Sequence, residues 1–148
     1  MLLGLDVGER RIGVALGRPE TGARALLTLS RSTATREAAA LRTLATEHAV
    51  TELVVGLPLD GAGGIGPQAA SIQAWAAEVG VLVGLPITWR DERHSSQAAE
   101  SRIGRAPRGR SGGPPSAAAR AAYRARVDRE AAATILQAEL DARSGARA

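Results

Sequence analysis

The chain has no cysteine, no phenylalanine and no lysine, and its 148 residues include only one tyrosine, two tryptophans, one methionine and two histidines. Without cysteine there is no disulfide framework and no thiolate metal centre. His48 has no second ligand at metal spacing beside it and reads as a part-buried residue at a helix end. With so few aromatic rings the core must be built from Leu, Val, Ile and Ala, and helices packed through Ala approach a sheet closely. No apolar run approaches bilayer length, and the N-terminus lacks a charged region followed by a long apolar one. These absences predict a soluble, untargeted, cytoplasmic protein with no membrane partner.

What is present suits one compact domain, since 45% of the residues are hydrophobic. All 19 basic residues are arginine, giving a formal net charge of +4. Their distribution is uneven. Residues 1–100 carry 9 Arg against 11 acids, residues 101–127 carry 7 Arg and no acid, and residues 128–148 carry 3 Arg against 4 acids. A single segment of +7 is either the footprint of a polyanion binder or a solvated charged loop.

The chain is organised around Asp6. Leu2 to Leu5 reads as a buried strand, Gly8-Glu9-Arg10 as a tight turn and Arg11 to Leu16 as the returning strand, so an acid stands where a core residue is expected. A buried carboxylate needs a cation, a metal or a ring of donors, unless it only caps the turn. After a loop at Arg18–Gly22, Ala25 to Ser30 supplies a third antiparallel strand. Ser32 or Thr33 then caps a helix from Thr35 to His48 with Ala38, Leu41, Leu44, Ala45 and His48 on one face. Glu52 to Gly56 is a short continuous apolar run, as a central parallel strand requires. The Gly-rich stretch from Gly56 to Pro67 is a flexible turn or an anion-gripping loop, with Asp60 a turn residue first and a substrate contact second.

A helix from Pro67 carries Ile72, Trp75, Ala76 and Val79 on its apolar face, which makes Trp75 a packing residue. Pro86 to Arg90 is a further strand ending at Asp91 and Glu92, whose side chains point to opposite faces, so that only one of them can look toward Asp6. A short helix follows through about Arg102, then a mobile Gly/Pro/Arg loop at about 104–116, then a long helix from Ala117 to Ala142. Asp128 precedes Ala131, Ala132, Ile135 and Leu136 by three, four, seven and eight residues, so it shares their inward face, within one turn of Arg124. Three acids thus stand at the ends of two strands and on the inner face of a late helix. In open α/β sheets such positions converge. Oxygen donors of this kind suit Mg²⁺ or Mn²⁺, two of which can drive phosphodiester hydrolysis.

The segments Gly4–Ala15, Val54–Gly61, Asp91–Arg93 and Val127–Ala132 with Ile135–Gln137 together resemble the YqgF/RuvX family, in order and over nearly the whole chain. The resemblance implies an α/β ribonuclease H-like fold: a mixed five-stranded sheet, three antiparallel strands followed by two parallel ones, flanked by helices. It also implies a nuclease of pre-16S rRNA maturation, with Holliday-junction resolution as a related activity. Carried over residue by residue, Asp6, Glu92 and Asp128 match the family's acidic site, and Asp91 adjoins it. Asp6 would bridge two ions, with Glu92 and Asp128 completing their shells. Ser95-Ser96 stand where the family has Thr-Thr, and Gly, Pro and Ala dilute the basic cluster that precedes the last acid.

The expectation is therefore a nuclease domain at 1–142 with a tail at 143–148, acting on nucleic acid through Asp6, Glu92 and Asp128. Arg93, Arg105, Arg108, Arg110, Arg120 and Arg124 would contact a substrate recognised by backbone charge and shape. Branched DNA as substrate calls for a two-fold homodimer. A nucleic-acid-binding protein without turnover is the reading from another class. A sugar-kinase-like phosphate binder shares the opening strand–Asp-x-Gly–strand pattern but needs two lobes to enclose ATP.

Overall fold

The computed structural model describes residues 1–92, 103, 104, 108, 109 and 112–147. Five strands form one sheet: β1 (Leu2–Val7), β2 (Arg11–Arg18), β3 (Gly22–Ser30), β4 (Glu52–Leu57) and β5 (Ile87–Asp91), in the order β3-β2-β1-β4-β5. β1, β2 and β3 form an antiparallel meander, and β4 and β5 add in parallel beside β1. This is the mixed sheet that the family resemblance implies. The helices are α1 (Ala34–His48), α2 (Pro67–Val83) and α3 (Ala117–Arg147).

Strand alternation divides the core in two. Leu3, Leu5, Val7, Ile12, Val14, Leu16, Leu53 and Val55 face α1 and α2, where Leu41, Leu44, Ile72, Trp75 and Val79 meet them. The opposite face carries Leu2, Ala15 and Val54 against Ala132, Ile135, Leu136 and Leu140 of α3. That second face is lined with glycine as much as with side chains. A Cβ on Gly4 would lie 2.7 Å from Leu136 Cβ, one on Gly56 would lie 2.5 Å from Ile135 Cδ1, and one on Gly13 would lie 2.8 Å from Arg129 N and closer still to the Asp128 carbonyl. α3 therefore sits almost on the sheet backbone, which only residues without side chains permit.

Hydrogen bonds fix α3 along its length. Thr28 Oγ1 donates to the Ala125 carbonyl at 2.7 Å, the Ala23 amide donates to Gln137 Oε1 at 2.9 Å, and Arg143 pairs with Glu52. Arg143 also bonds Glu139 one turn back at 2.7 Å. Burial pushes the Glu52 carboxyl up, but the hydrogen bonds from Arg143 and Thr88 outweigh it and hold the group below its ordinary value. These pairings explain why the helix runs to Arg147 rather than ending at Ala142: the residues expected as a tail at 143–148 are helical as far as Arg147.

α1 begins at Thr33, whose side chain accepts from the Arg36 amide, and closes at Ala49 in the left-handed conformation, φ 53°. α2 continues past Gly80 to Val83 and is closed by Gly84 at φ 76°. His48 is part-buried, and Trp75 lies in the core as the sequence pattern predicts. Among the described residues no helix is long and apolar enough to cross a membrane. The helix expected through Arg102 lies outside the described residues, as does part of the loop expected at 104–116.

Candidate functional site

Asp6 is the next-to-last residue of β1 and the last on its α3 face, opposite Gly13 of β2. Asp91 is the last residue of β5, paired with Leu57, and is exposed; Glu92 follows on the other face. The Glu92 carboxylate lies over Gly56, at 2.8 Å from where a Cβ there would stand. It shares a hydrogen bond with the Asp6 side chain. Asp128 projects from α3 above Gly13, close enough for its charge to bear on Asp6. The structure therefore sets Glu92 in hydrogen-bond contact with Asp6 and Asp128 within electrostatic reach of it, and turns Asp91 to the other face.

The electrostatics follow from this crowding. Burial pushes the Asp6 carboxyl above its ordinary value; the hydrogen bond with Glu92 acts the other way, and the charge of Asp128 raises it further. Asp6 and its two neighbours all keep part of their surface open to solvent. Half-buried, mutually repelling carboxylates bind a cation readily, and all-oxygen donors select Mg²⁺ or Mn²⁺ over softer ions. Among the described residues, no three acidic or histidine side chains are already gathered as a metal site. A protein cation intervenes: Arg11 Nε donates to Asp128 Oδ2 at 2.6 Å.

Sequence spacing does not single out Arg11, since it sets only Arg124 within one turn of Asp128. Strand alternation carries the signal: Arg11 lies two residues before Gly13, on the face that looks at α3. Glu37 is the second side chain that periodicity passed over. It is 2% exposed and accepts from Arg31, the Ser32 amide and the Trp75 indole. Burial pushes Glu37 up, yet these donors together hold it below its ordinary value. Its place on the α1/α2 side makes it structural.

Of the expected nucleic-acid contacts, Arg93, Arg105 and Arg110 lie outside the described residues. Arg108, Arg120 and Arg124 are exposed. Arg108 and Arg120 donate to the carbonyls of Gly112 and Pro115. Most of α3 from Ala117 to Arg126 faces solvent, so Arg120 and Arg124 stand two turns and one turn before Asp128 on an exposed stretch of helix. Asp60 acts as a turn residue, its Oδ1 accepting from the Ala62 and Gly64 amides at 3.0 and 2.7 Å. A cavity of about 440 Å³ beside Gly8, Arg31, Ser71 and Trp75 opens elsewhere and none of the three acids lines it.

A family model described as RuvX, Holliday junction resolvase, matches residues 1–142. A protein of Roseiflexus sp. named "Putative pre-16S rRNA nuclease" is 41% identical over 147 residues, covering 95% of this chain and 93% of its own. One of the same name from Chloroflexus aggregans is 40% identical over 146 residues, with 96% and 94% covered. Among solved structures, Thermus thermophilus RuvC in complex with a Holliday junction substrate superposes with a TM-score of 0.54 at 18% identity, covering 97% of this chain and 95% of that one. That likeness shows a common fold, the ribonuclease H-like one.

Proposed function

The chain belongs to the RuvX family, and on that premise we propose that it is a metal-dependent endonuclease that hydrolyses phosphodiester bonds at the 5′ end of pre-16S rRNA, in the cytoplasm, during ribosome biogenesis. The observation that carries this reading is that Glu92 hydrogen-bonds Asp6 and the charge of Asp128 bears on it, with Arg120 and Arg124 on the same helix as Asp128. Relatives about 40% identical over almost their whole length carry the rRNA nuclease name, which supports RNA as the substrate.

Asp6, Glu92 and Asp128 would hold Mg²⁺ or Mn²⁺, as two ions. When bound, the ions supply an activated water and stabilise the leaving oxygen. The protein's part is to fix the carboxylates: β1 and β5 present two of them on one sheet face, and the low seat of α3 brings the third over them. Arg120 and Arg124, with Arg93, Arg105, Arg108 and Arg110, draw in the phosphate backbone, so affinity falls steeply with salt.

Junction resolution is the second reading, favoured by the family's description, and it requires two copies of the chain to present two sites. The deciding experiment incubates purified protein with a 16S rRNA precursor and with a four-way DNA junction, with Mg²⁺, Mn²⁺ or chelator, beside Asp6→Asn. Metal-dependent cutting of the precursor that Asp6→Asn abolishes, with RNA binding kept or tightened, is the expected result. Cutting of the junction alone would move the protein to resolution, and binding without any cutting would move it to the non-catalytic class.

A further inference from the structure

The acidic site already contains a positive charge that the metal reading does not use. Arg11 and Asp128 are 117 residues apart, their bond is 2.6 Å long, and their side chains are 26% and 24% exposed. Only Nε is engaged: the terminal amino groups of Arg11 make no hydrogen bond among the described residues. They remain available at a solvent-accessible edge of the site.

Docking of α3 does not depend on this pair. The glycine contacts, the Thr28 bond to the Ala125 carbonyl, the Ala23 bond to Gln137 and the Arg143–Glu52 pair hold the helix independently. What the pair changes is charge. Without Arg11, three carboxylates would stand together with no protein cation bonded to Asp128; with it, Asp128 is neutralised. A divalent ion at the same carboxylates repels the guanidinium, so each cation weakens the hold of the other, and linkage makes that weakening reciprocal.

We propose that Arg11 is an exchangeable counter-ion of the acidic site: it occupies Asp128 in the metal-free protein, is released when a divalent cation enters, and then offers its guanidinium fork to a phosphate of the bound strand. The fork geometry suits a phosphate, which takes two parallel N–H···O bonds. The metal-free site is thereby kept from collapsing into a permanently repelling cluster, and phosphate capture is tied to metal occupancy. The inference rests on the metal reading above.

The test follows the Arg11 Nε–H resonance by NMR in the wild-type protein, assigned by its loss in Arg11→Lys, during titration from chelator into Mg²⁺. Calorimetric titration with Mn²⁺ of wild type, Arg11→Gln and Arg11→Lys runs beside it. The expected result is a carboxylate-bonded signal in chelator that moves to the position of a free arginine on saturation. Arg11→Gln is expected to bind Mn²⁺ roughly tenfold tighter and Arg11→Lys within about twofold of wild type. RNA binding measured by anisotropy in Ca²⁺ should fall about fivefold in Arg11→Gln. An Nε–H signal unmoved at saturating Mg²⁺, or Mn²⁺ affinity unchanged or weakened in Arg11→Gln, overturns the exchange while leaving the metal site standing. Absence of any Mn²⁺ binding by wild type overturns the metal reading and this inference together. The NMR arm needs only wild type and the conservative Arg11→Lys, so it decides the matter even if Arg11→Gln does not fold.

Discussion

Replacing Gly13 by alanine adds one methyl group, and the structure says where it goes. The new Cβ would lie 2.8 Å from Arg129 N and still nearer the carbonyl of Asp128, both backbone atoms of α3. Neither can rotate away, so the helix must retreat by about 1 Å at the turn that carries Asp128. Overpacking against backbone belongs at the upper end of the usual range, about 3 kcal/mol. For a chain of this length that lowers the melting temperature by roughly 10 °C. A displacement of that size at a catalytic carboxylate costs about a hundredfold in rate. Thermal melting and metal-dependent RNA cleavage of Gly13→Ala read the two effects separately. Gly145→Ala, on the same helix with nothing within 4 Å of its would-be Cβ, is the control. It should melt at or slightly above wild type, because alanine favours helix by up to about 1 kcal/mol. If Gly13→Ala melts and cleaves like the wild type, the low seat of α3 does not place Asp128.

Three further substitutions have defined outcomes. Glu37→Gln should lose about 2–3 kcal/mol in urea unfolding at pH 7, because it removes the buried charge that pairs with Arg31 and puts an NH₂ donor where one of two acceptor oxygens served Arg31 and Ser32 or Trp75. Glu37 titrates below its unfolded value, so its contribution is full above about pH 4.3 and disappears as the pH falls through its folded value; the gap between wild type and variant should close in acid. Ala49→Gly relieves a left-handed alanine at the end of α1 and should raise stability by about 1 kcal/mol in the same assay. Asp6→Asn removes one of three crowded carboxylates, so in chelator it should melt above wild type while cutting nothing; a lower melting point would contradict the repulsion assigned to that site.

The sheet was legible because its signals are local. Alternation in Leu2–Val7 and Arg11–Leu16, the apolar run at Leu53–Val55 and the stripe of Ile72, Trp75, Ala76 and Val79 each name an element and its buried face. The approach of Glu92 and Asp128 to Asp6 is legible by adding topology, since β1 and β5 run parallel in one sheet and α3 packs on the face that Asp6 shares. What periodicity could not supply was pairing across long separations. Arg11 finds Asp128 through a helix that arrives 117 residues later, and Arg143 finds Glu52 across 91, extending α3 beyond the end that composition suggested. Glu37 was missed because a charged residue beside an apolar stripe reads as solvent-facing until its three donors are assembled in space.

The fastenings of α3 also divide it mechanically. Ala125, Gln137 and Arg143 act as supports, and Asp128 lies in the span between the first two, roughly 4.5 Å past the Ala125 support. A beam held on both sides bends little there, so thermal motion barely alters where that carboxylate stands. Arg120 and Arg124 lie on the other side of the Ala125 support, on a stretch with a separate fastening, where Tyr123 Oη donates to the Gly104 carbonyl at 3.0 Å and Ile103 and Tyr123 pack against Val127 and Ala131. One uninterrupted helix thus carries the carboxylate between sheet-borne supports and the arginines on a stretch tied to the loop before it, with Thr28 at the boundary between them.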